Sequence, residues 1–499
     1  MSPLLGLILF SLFIIRVMKR LSILILCLSA FAGIAGAQTA ITYDNEAQWK
    51  AYEDFNNAFL DKSKYIYKAD TKQPGAYHRG NGYRDNDVSG CAAAIWCQAI
   101  MYDMVINAYN RAKEEGDEAR MRKYQTLHNN IYKGEKAHYV NFDFHNPNTN
   151  NGWFVYDDIM WWTCALARAY KTFDKSEYLS YSERSFCRVW YGSAKVGDDG
   201  SYADPARFEG QYGGGMFWEW QPIEKANPHK PGDFRSACIN FPTVIAACLL
   251  HTIVPEGRSV PTAARPTMQT KEWYLEKAKE VYAWADKTLV NSSGRVADGI
   301  HGGGPEFTDH LYNQATYIGA SCMLYKLTGE ITYLSKARRA ADYVINNMCT
   351  AGILKYENGY EQGIYAAIYA QYIKMLVYDC DLSLAYVKKY LTHIQKNIQK
   401  AYTNMDAERG IQIGYFAKKT ASTDVVESYG ASGMPALMLM FPASDTATPI
   451  ADVVERKYDG PSDVYTPDGK LVMKDATPEQ VREFESGLYI FQRKKILIK

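Results

Sequence analysis

The feature that most constrains the fold is a succession of amphipathic helical patterns from residue 45 to about residue 441. Loops rich in Gly, Asn, Pro and Asp separate these patterns, and no convincing series of alternating strands interrupts them. The pattern predicts about twelve helices, at residues 45–62, 90–114, 118–132, 153–173, 178–192, 234–254, 271–289, 311–328, 331–348, 361–379, 383–402 and 428–441. We therefore expect an all-α fold over most of the chain.

The connection between two of these helices shows how neighbouring helices pair. Residues 327–330 (Leu-Thr-Gly-Glu) end one helix with a glycine, and the next helix opens at once with Tyr333. Such tight, glycine-capped connections are typical of αα-hairpins. Similar helix openings at Tyr178, Tyr274 and Tyr333 are 96 and 59 residues apart, and this uneven spacing argues against a regular solenoid. The pattern favours helical hairpins closed into a ring, an (α/α)6 toroid.

Composition changes at both ends of the helical region. Before Gln38, a basic stretch, an apolar stretch and a small-residue cleavage site predict a signal peptide, with Met18 as an alternative start. After residue 441 a segment rich in Pro, Ser, Thr and Asp precedes three short strand patterns, which resemble the C-terminal modules of some exported Gram-negative enzymes. The predicted parts are a signal peptide at 1–37, a helical domain at 38–441, a linker at 442–462 and a β-rich tail at 463–499.

Charge and cysteine content argue against several classes of protein. The formal net charge is +1, and removing residues 1–37 leaves 53 basic and 55 acidic residues. No basic cluster with interleaved aromatics occurs, so we expect no nucleic-acid partner. Nine cysteines remain after residue 37, without CxxC spacing or a histidine cluster. We therefore expect neither a metal nor another cofactor.

Two adjacent acids, Asp157 and Asp158, lie inside an aromatic-rich run from Trp153 to Trp162. Neighbouring carboxylates repel each other, and burial among aromatics raises the pKa of at least one of them. One charged and one protonated carboxyl are what cleavage of a glycosidic bond requires. To serve one bond, the two side chains must lie in a loop or near a helix N-terminus, where backbone amides stabilise an anion. The alternative is that one aspartate merely caps the helix.

Two further segments contain residue types that bind sugars. Residues 211–220 place three glycines before an aromatic cluster, so a ligand can approach the backbone and Trp218 or Trp220 can stack on a pyranose ring. A packed hairpin is the alternative for this segment. The amides of Asn313 and Gln314 can bond sugar hydroxyls, although they also suit the end of a helix.

The order and spacing of these blocks resemble glycoside hydrolase family 76, the bacterial endo-α-1,6-mannanases and related transglycosidases. The resemblance covers about residues 80–441. It rests on the Asp157-Asp158 block, residues 213–218, residues 235–240, residues 296–300 followed by 312–314, and Gly319 with residues 324–329.

This resemblance implies an (α/α)6 barrel and a retaining mechanism, with Asp157 as the nucleophile and Asp158 as the general acid/base. The candidate substrate-binding residues are Trp153, Tyr156, Trp161, Trp218, Trp220, Asn240, Asp298, Tyr312, Asn313 and Gln314.

Three segments depart from the family's pattern. Residues 154–156 (Phe-Val-Tyr) replace the Trp- or Tyr-rich run expected before the aspartates, and Arg235 stands where Lys is common. Residues 428–435 match the family's last helix only loosely. These departures bear on sugar subsites more than on the reaction.

Together these observations predict an exported hydrolase, in the periplasm, on the surface of a Gram-negative bacterium or secreted. It would act as a monomer on α-mannan polysaccharide or mannooligosaccharides and cut α-1,6-mannosidic bonds within chains. It would have no integral membrane domain after signal removal.

Three alternatives remain open at this stage. An inverting glycosidase or an unsaturated glucuronyl hydrolase would place its two acids far apart in sequence and make Asp298 or Glu219 essential. A mannan transglycosidase would use the same residues and differ in acceptor access. A surface glycan-binding protein would keep the ring without catalysis. A calcium site at the aspartates lacks the expected DxDxDG spacing.

Overall fold

The computed structural model describes most of the chain after residue 41. The described residues are 42–72, 77–79, 90–147, 153–209, 213–220, 229–357, 361–443, 462–466, 471–477, 480–481, 487–491 and 494–498. The predicted signal peptide, residues 1–37, lies outside them, as does most of the predicted linker, residues 442–462. In this described part, no helix combines the length and the apolar character that crossing a membrane requires.

Helices account for most of the described structure. In chain order they are α1 Asn45–Phe59, α2 Ile95–Glu114, α3 Glu118–His138, α4 Tyr156–Phe173, α5 Ser176–Tyr191, α6 Ala237–Ile253, α7 Lys271–Leu289, α8 Leu311–Thr328, α9 Ile331–Asn347, α10 Tyr365–Lys374, α11 Leu384–Thr403, α12 Ser428–Ala431 and α13 Gly433–Met440. A 3-10 turn, Glu361–Ile364, precedes α10, and a π-helical turn, Met375–Asp379, follows it.

The strands are short. They are β1 Leu60–Asp61, β2 Ile66–Tyr67, β3 Tyr77–Arg79, β4 Gly90–Ala92, β5 Arg235–Ser236, β6 Gly299–Ile300, β7 Pro305–Glu306, β8 Cys349–Thr350, β9 Ile353–Leu354, β10 Ser462–Tyr465, β11 Leu471–Ala476, β12 Gly487–Phe491 and β13 Lys494–Ile498. The last four form an antiparallel sheet in the order β11-β10-β12-β13. The predicted β-rich tail is therefore confirmed, although its predicted Asp468-Gly469 turn lies outside the described residues.

Six helices form a closed inner ring. Helix α2 packs against α4, α4 against α6, α6 against α8, α8 against α10, α10 against α13, and α13 returns to α2. Most residues of α4, α6 and α8 are buried, as expected for helices covered on all sides. Continuous apolar burial of this kind is the main source of stability in a helical domain.

A second layer of helices surrounds the ring. Helices α3, α5, α7 and α9 each pack on the inner helix that precedes them in the chain, whereas α1 and α11 pack on α13. The predicted (α/α)6 toroid is confirmed. Local signals set several boundaries: Asp44, Asp117 and Thr270 cap α1, α3 and α7 by accepting bonds from backbone amides. Gly329 ends α8 with φ of 74°.

Several predicted helices differ from the observed ones. The helix predicted at 45–62 runs into β1, the one predicted at 118–132 ends six residues before α3 does, and the one predicted at 361–379 divides into a 3-10 turn, α10 and a π-helical turn. The segment predicted to start a helix at residue 90 begins with β4, which pairs in parallel with β3, and α2 starts only at Ile95. The helix predicted at 428–441 is broken at Ser432 into α12 and α13. Here Gly430 lies so close to the backbone of Ile413 that a Cβ on it would stand 2.4 Å from the Ile413 carbonyl oxygen. Ser432 keeps helical φ and ψ angles of −67° and −25°, and Pro435, which follows it, has no amide hydrogen to donate to the Ala431 carbonyl.

Candidate active site

A cavity of about 450 Å³ opens where the N-termini of the inner helices converge. Its lining residues are Trp96, Val155, Asp157, Asp158, Trp218, Phe234, Ser236, Cys238, Asp298, Tyr312, Glu361 and Tyr365. Many of them occupy the first turn of α2, α4, α6, α8 or α10. Because backbone amides are unpaired at helix N-termini, their partial positive charges gather around this cavity and favour negative charge in it.

The aspartate pair lies in the first turn of α4, as the sequence predicts for two adjacent acids that serve one site. The N-cap of α4 is Val155, in extended conformation, so neither aspartate is the capping residue. The backbone before the pair is held by the neighbouring segment: Tyr156 donates its amide hydrogen to the Trp218 carbonyl at 3.0 Å, and Val155 forms a β-bridge with Glu219. This pairing brings the Trp218 side chain to the same cavity.

Asp157 is buried, with 8% of its surface exposed. Burial raises its pKa to about 7, although hydrogen bonds oppose this rise. They come from the Cys238 thiol, from the backbone amides of Asp157 and Asp158, and from the Trp218 side chain. Since these donors stabilise the carboxylate, Asp157 is the more easily ionised member of the pair.

Asp158 has a different environment. Burial raises its pKa well above the usual value, and the negative charges of Asp157, Glu361 and Glu219 raise it further. Oδ1 of Asp157 and Oδ2 of Asp158 have no hydrogen-bond partner among the described residues. The two carboxyl groups titrate as a coupled pair in which the proton resides preferentially on Asp158. The site thus holds one potential anion and one potential acid.

A third carboxyl group, that of Glu361, enters the cavity from the turn before α10. The indole nitrogen of Trp96 donates a hydrogen bond to its Oε2 at 2.5 Å. Burial raises the pKa of Glu361 to about 7, and the negative charge of Asp157 contributes to the increase. The hydrogen bond from Trp96 lowers this pKa and so opposes the two effects. Sequence reasoning did not identify Glu361 or Trp96. The sequence signal was weak, because Trp96 is a single aromatic residue near the start of α2 and Glu361 is a single acid in the turn before α10.

Aromatic rings form the walls of the cavity. The rings of Tyr312 and Tyr365 are stacked, with centroids 4.0 Å apart and planes 6° from parallel. Trp96 lies against both of them, at 6.4 and 6.3 Å. On another side, Trp218 meets Phe234 edge-on at 6.1 Å. Such ring faces match the apolar faces of pyranose sugars.

Asp298 reaches the cavity from the segment before β6. Its backbone is fixed at both ends, because its amide donates to the Glu306 carbonyl at 2.8 Å and its carbonyl accepts from Ala237 at 2.8 Å. The side-chain amide of Asn313 donates to Oδ1 of Asp298 at 3.0 Å. With 29% of its side chain exposed, Asp298 can contact a ligand, whereas the buried Asn313 orients it.

Other candidate residues from the sequence lie outside the cavity. Tyr156 is fully buried, and its hydroxyl donates to Asp198 at 2.8 Å. Trp153 packs edge-on against Phe144, Trp220 lies against His229, and Trp161 contacts Trp96 from behind the cavity wall. These four aromatic residues are 0–2% exposed and therefore contact protein side chains in this structure.

The two remaining amides bond to the backbone. Asn240 accepts from the Met216 amide at 2.9 Å and donates to the Ser236 carbonyl at 2.8 Å, which ties the glycine-rich segment to α6. Gln314 accepts from Val296 at 2.5 Å and donates to the Gly294 carbonyl at 2.9 Å. Both side chains position loops that border the cavity.

The glycines of residues 213–215 make room for a protein side chain. Gly214 and Gly215 have φ values of 92° and 76°, and a Cβ on Gly215 would stand 2.3 Å from the ring of Trp284. The guanidinium of Arg235 lies over the same ring at 5.0 Å and donates to the Gly214 carbonyl at 3.1 Å. The glycines thus allow close packing that fixes the approach to Trp218.

Solved structures share this fold. The GH76A α-1,6-mannanase from Salegentibacter sp. HEL1_6 aligns with a TM-score of 0.60 at 23% identity, over 79% of this chain and 98% of that chain. The Lin0763 protein from Listeria innocua aligns with a TM-score of 0.60 at 22% identity, over 79% and 96% of the two chains. Bt3792, a family 76 mannosidase from Bacteroides thetaiotaomicron, aligns with a TM-score of 0.56 at 17% identity, over 79% and 96%.

Sequence comparison gives the family. A search of curated proteins found no match. The model of glycosyl hydrolase family 76 matches residues 61–447, which include the whole inner ring and every residue that lines the cavity. The expected resemblance is confirmed: this chain belongs to glycosyl hydrolase family 76 and is a glycoside hydrolase.

Proposed function

We propose that the chain is a retaining hydrolase that cleaves α-1,6-mannosidic bonds within mannan backbones. The observation that carries this proposal is the asymmetry of the aspartate pair. Asp157 and Asp158 share the first turn of α4 and one cavity, but donors stabilise the anion of Asp157 whereas neighbouring carboxyls keep Asp158 protonated. These are the states that a double displacement requires in its two carboxyl groups.

In the first step, the Asp157 carboxylate attacks the anomeric carbon while Asp158 donates its proton to the departing glycosidic oxygen. The product is a glycosyl ester on Asp157. In the second step, Asp158, now ionised, takes a proton from water, which attacks the same carbon and releases the sugar. The helix N-termini around the cavity stabilise the carboxylate at each stage.

The structural relatives support α-1,6-mannan as the substrate class. An inactive variant of the Salegentibacter α-1,6-mannanase, with two consecutive aspartates replaced by asparagine, was solved in complex with α-1,6-mannotriose. Asp157 and Asp158 are likewise consecutive, which supports the same role here. The stacked Tyr312 and Tyr365 and the accessible Asp298 supply an apolar face and a hydrogen-bond acceptor for a mannose ring.

A product assay tests this function. Incubation with debranched yeast α-1,6-mannan should yield a ladder of mannooligosaccharides, and NMR should show the α-anomer as the first product. Asp157→Asn and Asp158→Asn should each lower kcat/KM by at least about 100-fold. Glu272→Gln is the matched control, because Glu272 is an exposed carboxyl in the first turn of an outer helix. Retained activity in both aspartate variants would overturn the mechanism.

An inverting reaction is the second candidate, because Asp298 shares the cavity with the aspartate pair. Asp298→Asn distinguishes the two mechanisms. In the retaining enzyme, this variant should weaken substrate binding and still release the α-anomer. Release of the β-anomer by the wild type, with complete loss of turnover in Asp298→Asn, would establish the inverting mechanism instead.

Export and the monomeric state are further parts of this proposal. The basic and apolar stretches and the small residues before Gln38 support removal of a signal peptide. Mass spectrometry of protein from the periplasmic or surface fraction should find a mature chain beginning at Gln38. Light scattering of that protein should give the mass of one chain.

A further inference from the structure

The opposite mouth of the helical ring contains a second, larger cavity. Its volume is about 1250 Å³, and its lining comes from the C-terminal halves of all six inner helices. Lysines reach it from the last turns of four of these helices: Lys113 of α2, Lys171 of α4, Lys326 of α8 and Lys374 of α10. The catalytic cavity lies at the N-terminal ends of the same helices, and the aspartate pair lies at the N-terminus of α4.

The basic side chains of this mouth differ in how they are paired within the residues that the structure describes. Two arginines in the lining are neutralised, since Arg111 pairs with Glu115 at 2.8 Å and Arg168 pairs with Asp103. By contrast, the side chains of Lys113, Lys171, Lys326 and Lys374 form no ion pair or hydrogen bond within the described part of the chain. The acids that line the cavity are Glu114 and Asp379.

Helix geometry explains only part of this arrangement. The partial negative charge at a helix C-terminus favours a cation there, so one lysine per helix is expected. Yet these lysines also repel one another. Burial lowers the pKa of Lys171. The positive charges of Lys326, Arg168 and Lys374 lower this pKa further, whereas the negative charge of Asp379 raises it. The mouth therefore keeps a positive potential that a bound anion would relieve.

Neutral polar groups stand beside the lysines. The amides of Asn107 and Gln371 bond to each other at 2.8 Å, and Asn110 bonds to Thr172 at 3.3 Å, all within the lining. Amide and hydroxyl groups present donors and acceptors together, which is how proteins bind sugar hydroxyls. The cavity is also far larger than an inorganic anion needs.

We propose that this mouth is a second carbohydrate site, which binds a saccharide carrying an anionic group, either phosphate or carboxylate. The lysines bind the anion, and the amides and hydroxyls bind the sugar. This site is separate from the catalytic cavity and does not depend on the reaction proposed above.

Calorimetric titration of the full-length chain at low ionic strength tests the proposal. The ligands are mannose 6-phosphate, glucuronic acid, mannose and inorganic phosphate. At least one of the two anionic sugars should bind more tightly than either mannose or inorganic phosphate. Comparison of mannose 6-phosphate with glucuronic acid then shows whether the site prefers a phosphate or a carboxylate. The triple variant Lys171→Gln, Lys326→Gln, Lys374→Gln should weaken that binding at least about tenfold.

A matched triple variant provides the control. Lys279→Gln, Lys287→Gln and Lys400→Gln remove three exposed lysines from the outer helices α7 and α11, including two in last turns. This control and Asp157→Asn should bind the anionic sugar as the wild type does, and circular dichroism should show every variant folded. The proposal is overturned if no anionic sugar exceeds mannose and phosphate, if the two triple variants weaken binding equally, or if Asp157→Asn abolishes it.

Discussion

Glu361 places a third carboxyl beside the aspartate pair, and its charge is among those that raise the pKa of Asp158. We expect Glu361→Gln to lower that pKa. Because Asp158 must be protonated to donate to the leaving group, the basic limb of the kcat/KM profile should then move to lower pH. Measurement of kcat/KM from pH 4 to 10 with a mannooligosaccharide checks this, beside Glu272→Gln. An unmoved basic limb would show that Glu361 does not act on Asp158.

Cys238 should act on the other limb of the same profile. Its thiol is the first of the donors that stabilise the Asp157 carboxylate. Cys238→Ala removes this donor, so the pKa of Asp157 should rise and the acidic limb should move to higher pH. Cys238→Ser keeps a donor at the same position and should restore the wild-type limb. If Cys238→Ala and Cys238→Ser gave the same pH profile of kcat/KM, the Cys238 thiol would not be the donor that sets the pKa of Asp157.

The sequence identified those site residues that belong to recognisable motifs. Asp157, Asp158, Trp218, Asp298 and Tyr312 were named from motifs, and all of them line the cavity. Residues such as Trp96, Cys238, Glu361 and Tyr365 stand alone in helical runs, and only the closure of the ring brings them together. Aromatic character also cannot show which face of a segment points to the cavity, which is why Trp153 and Trp220 were candidates.

The glycine-rich segment, residues 213–215, packs between the cavity and the outer helix α7. We expect Gly215→Ala to destabilise the protein by about 2–4 kcal/mol, because φ is positive there and the new Cβ would collide with Trp284. Urea denaturation measures the free energy of unfolding. Gly303→Ala is the control, since no atom lies within 4 Å of its Cβ position. Equal stability of both variants would contradict the packing role of Gly215.

The sequence predicted most of the helices, but it predicted the positions of their ends less well. Periodic apolar residues and caps such as Asp117 and Gly329 act locally, so α3 was predicted to begin, and α8 to end, where they do. The strand pairing of β4 depends on a separate segment, β3, and the close approach of Gly430 to Ile413 is likewise a contact with another part of the chain. Local sequence patterns do not predict contacts between separate segments of the chain.

The ring closes through contacts between the two ends of the helical domain. Gln48 of α1 is fully buried and donates to the Phe441 carbonyl at 2.9 Å, while its Oε1 accepts from the Ala443 amide at 2.8 Å. Arg111 adds a bond to the Met438 carbonyl at 2.9 Å. The toroid was predictable because the number and pairing of helices limit the architecture, but the residues that join its ends are nearly 400 positions apart and lack a shared motif.

This closure gives a prediction for the stability of the entire ring. Gln48→Ala would remove the bonds that Gln48 makes to the Phe441 carbonyl and to the Ala443 amide, and the loss of each costs about 1–3 kcal/mol. We expect the free energy of unfolding, measured by urea denaturation, to fall by about 2–6 kcal/mol, with faster hydrogen exchange around Phe441 and Ala443. Gln125→Ala, at an exposed position of α3, should leave both quantities unchanged. If Gln48→Ala were as stable as this control, apolar contacts between α13 and its neighbours alone would close the ring.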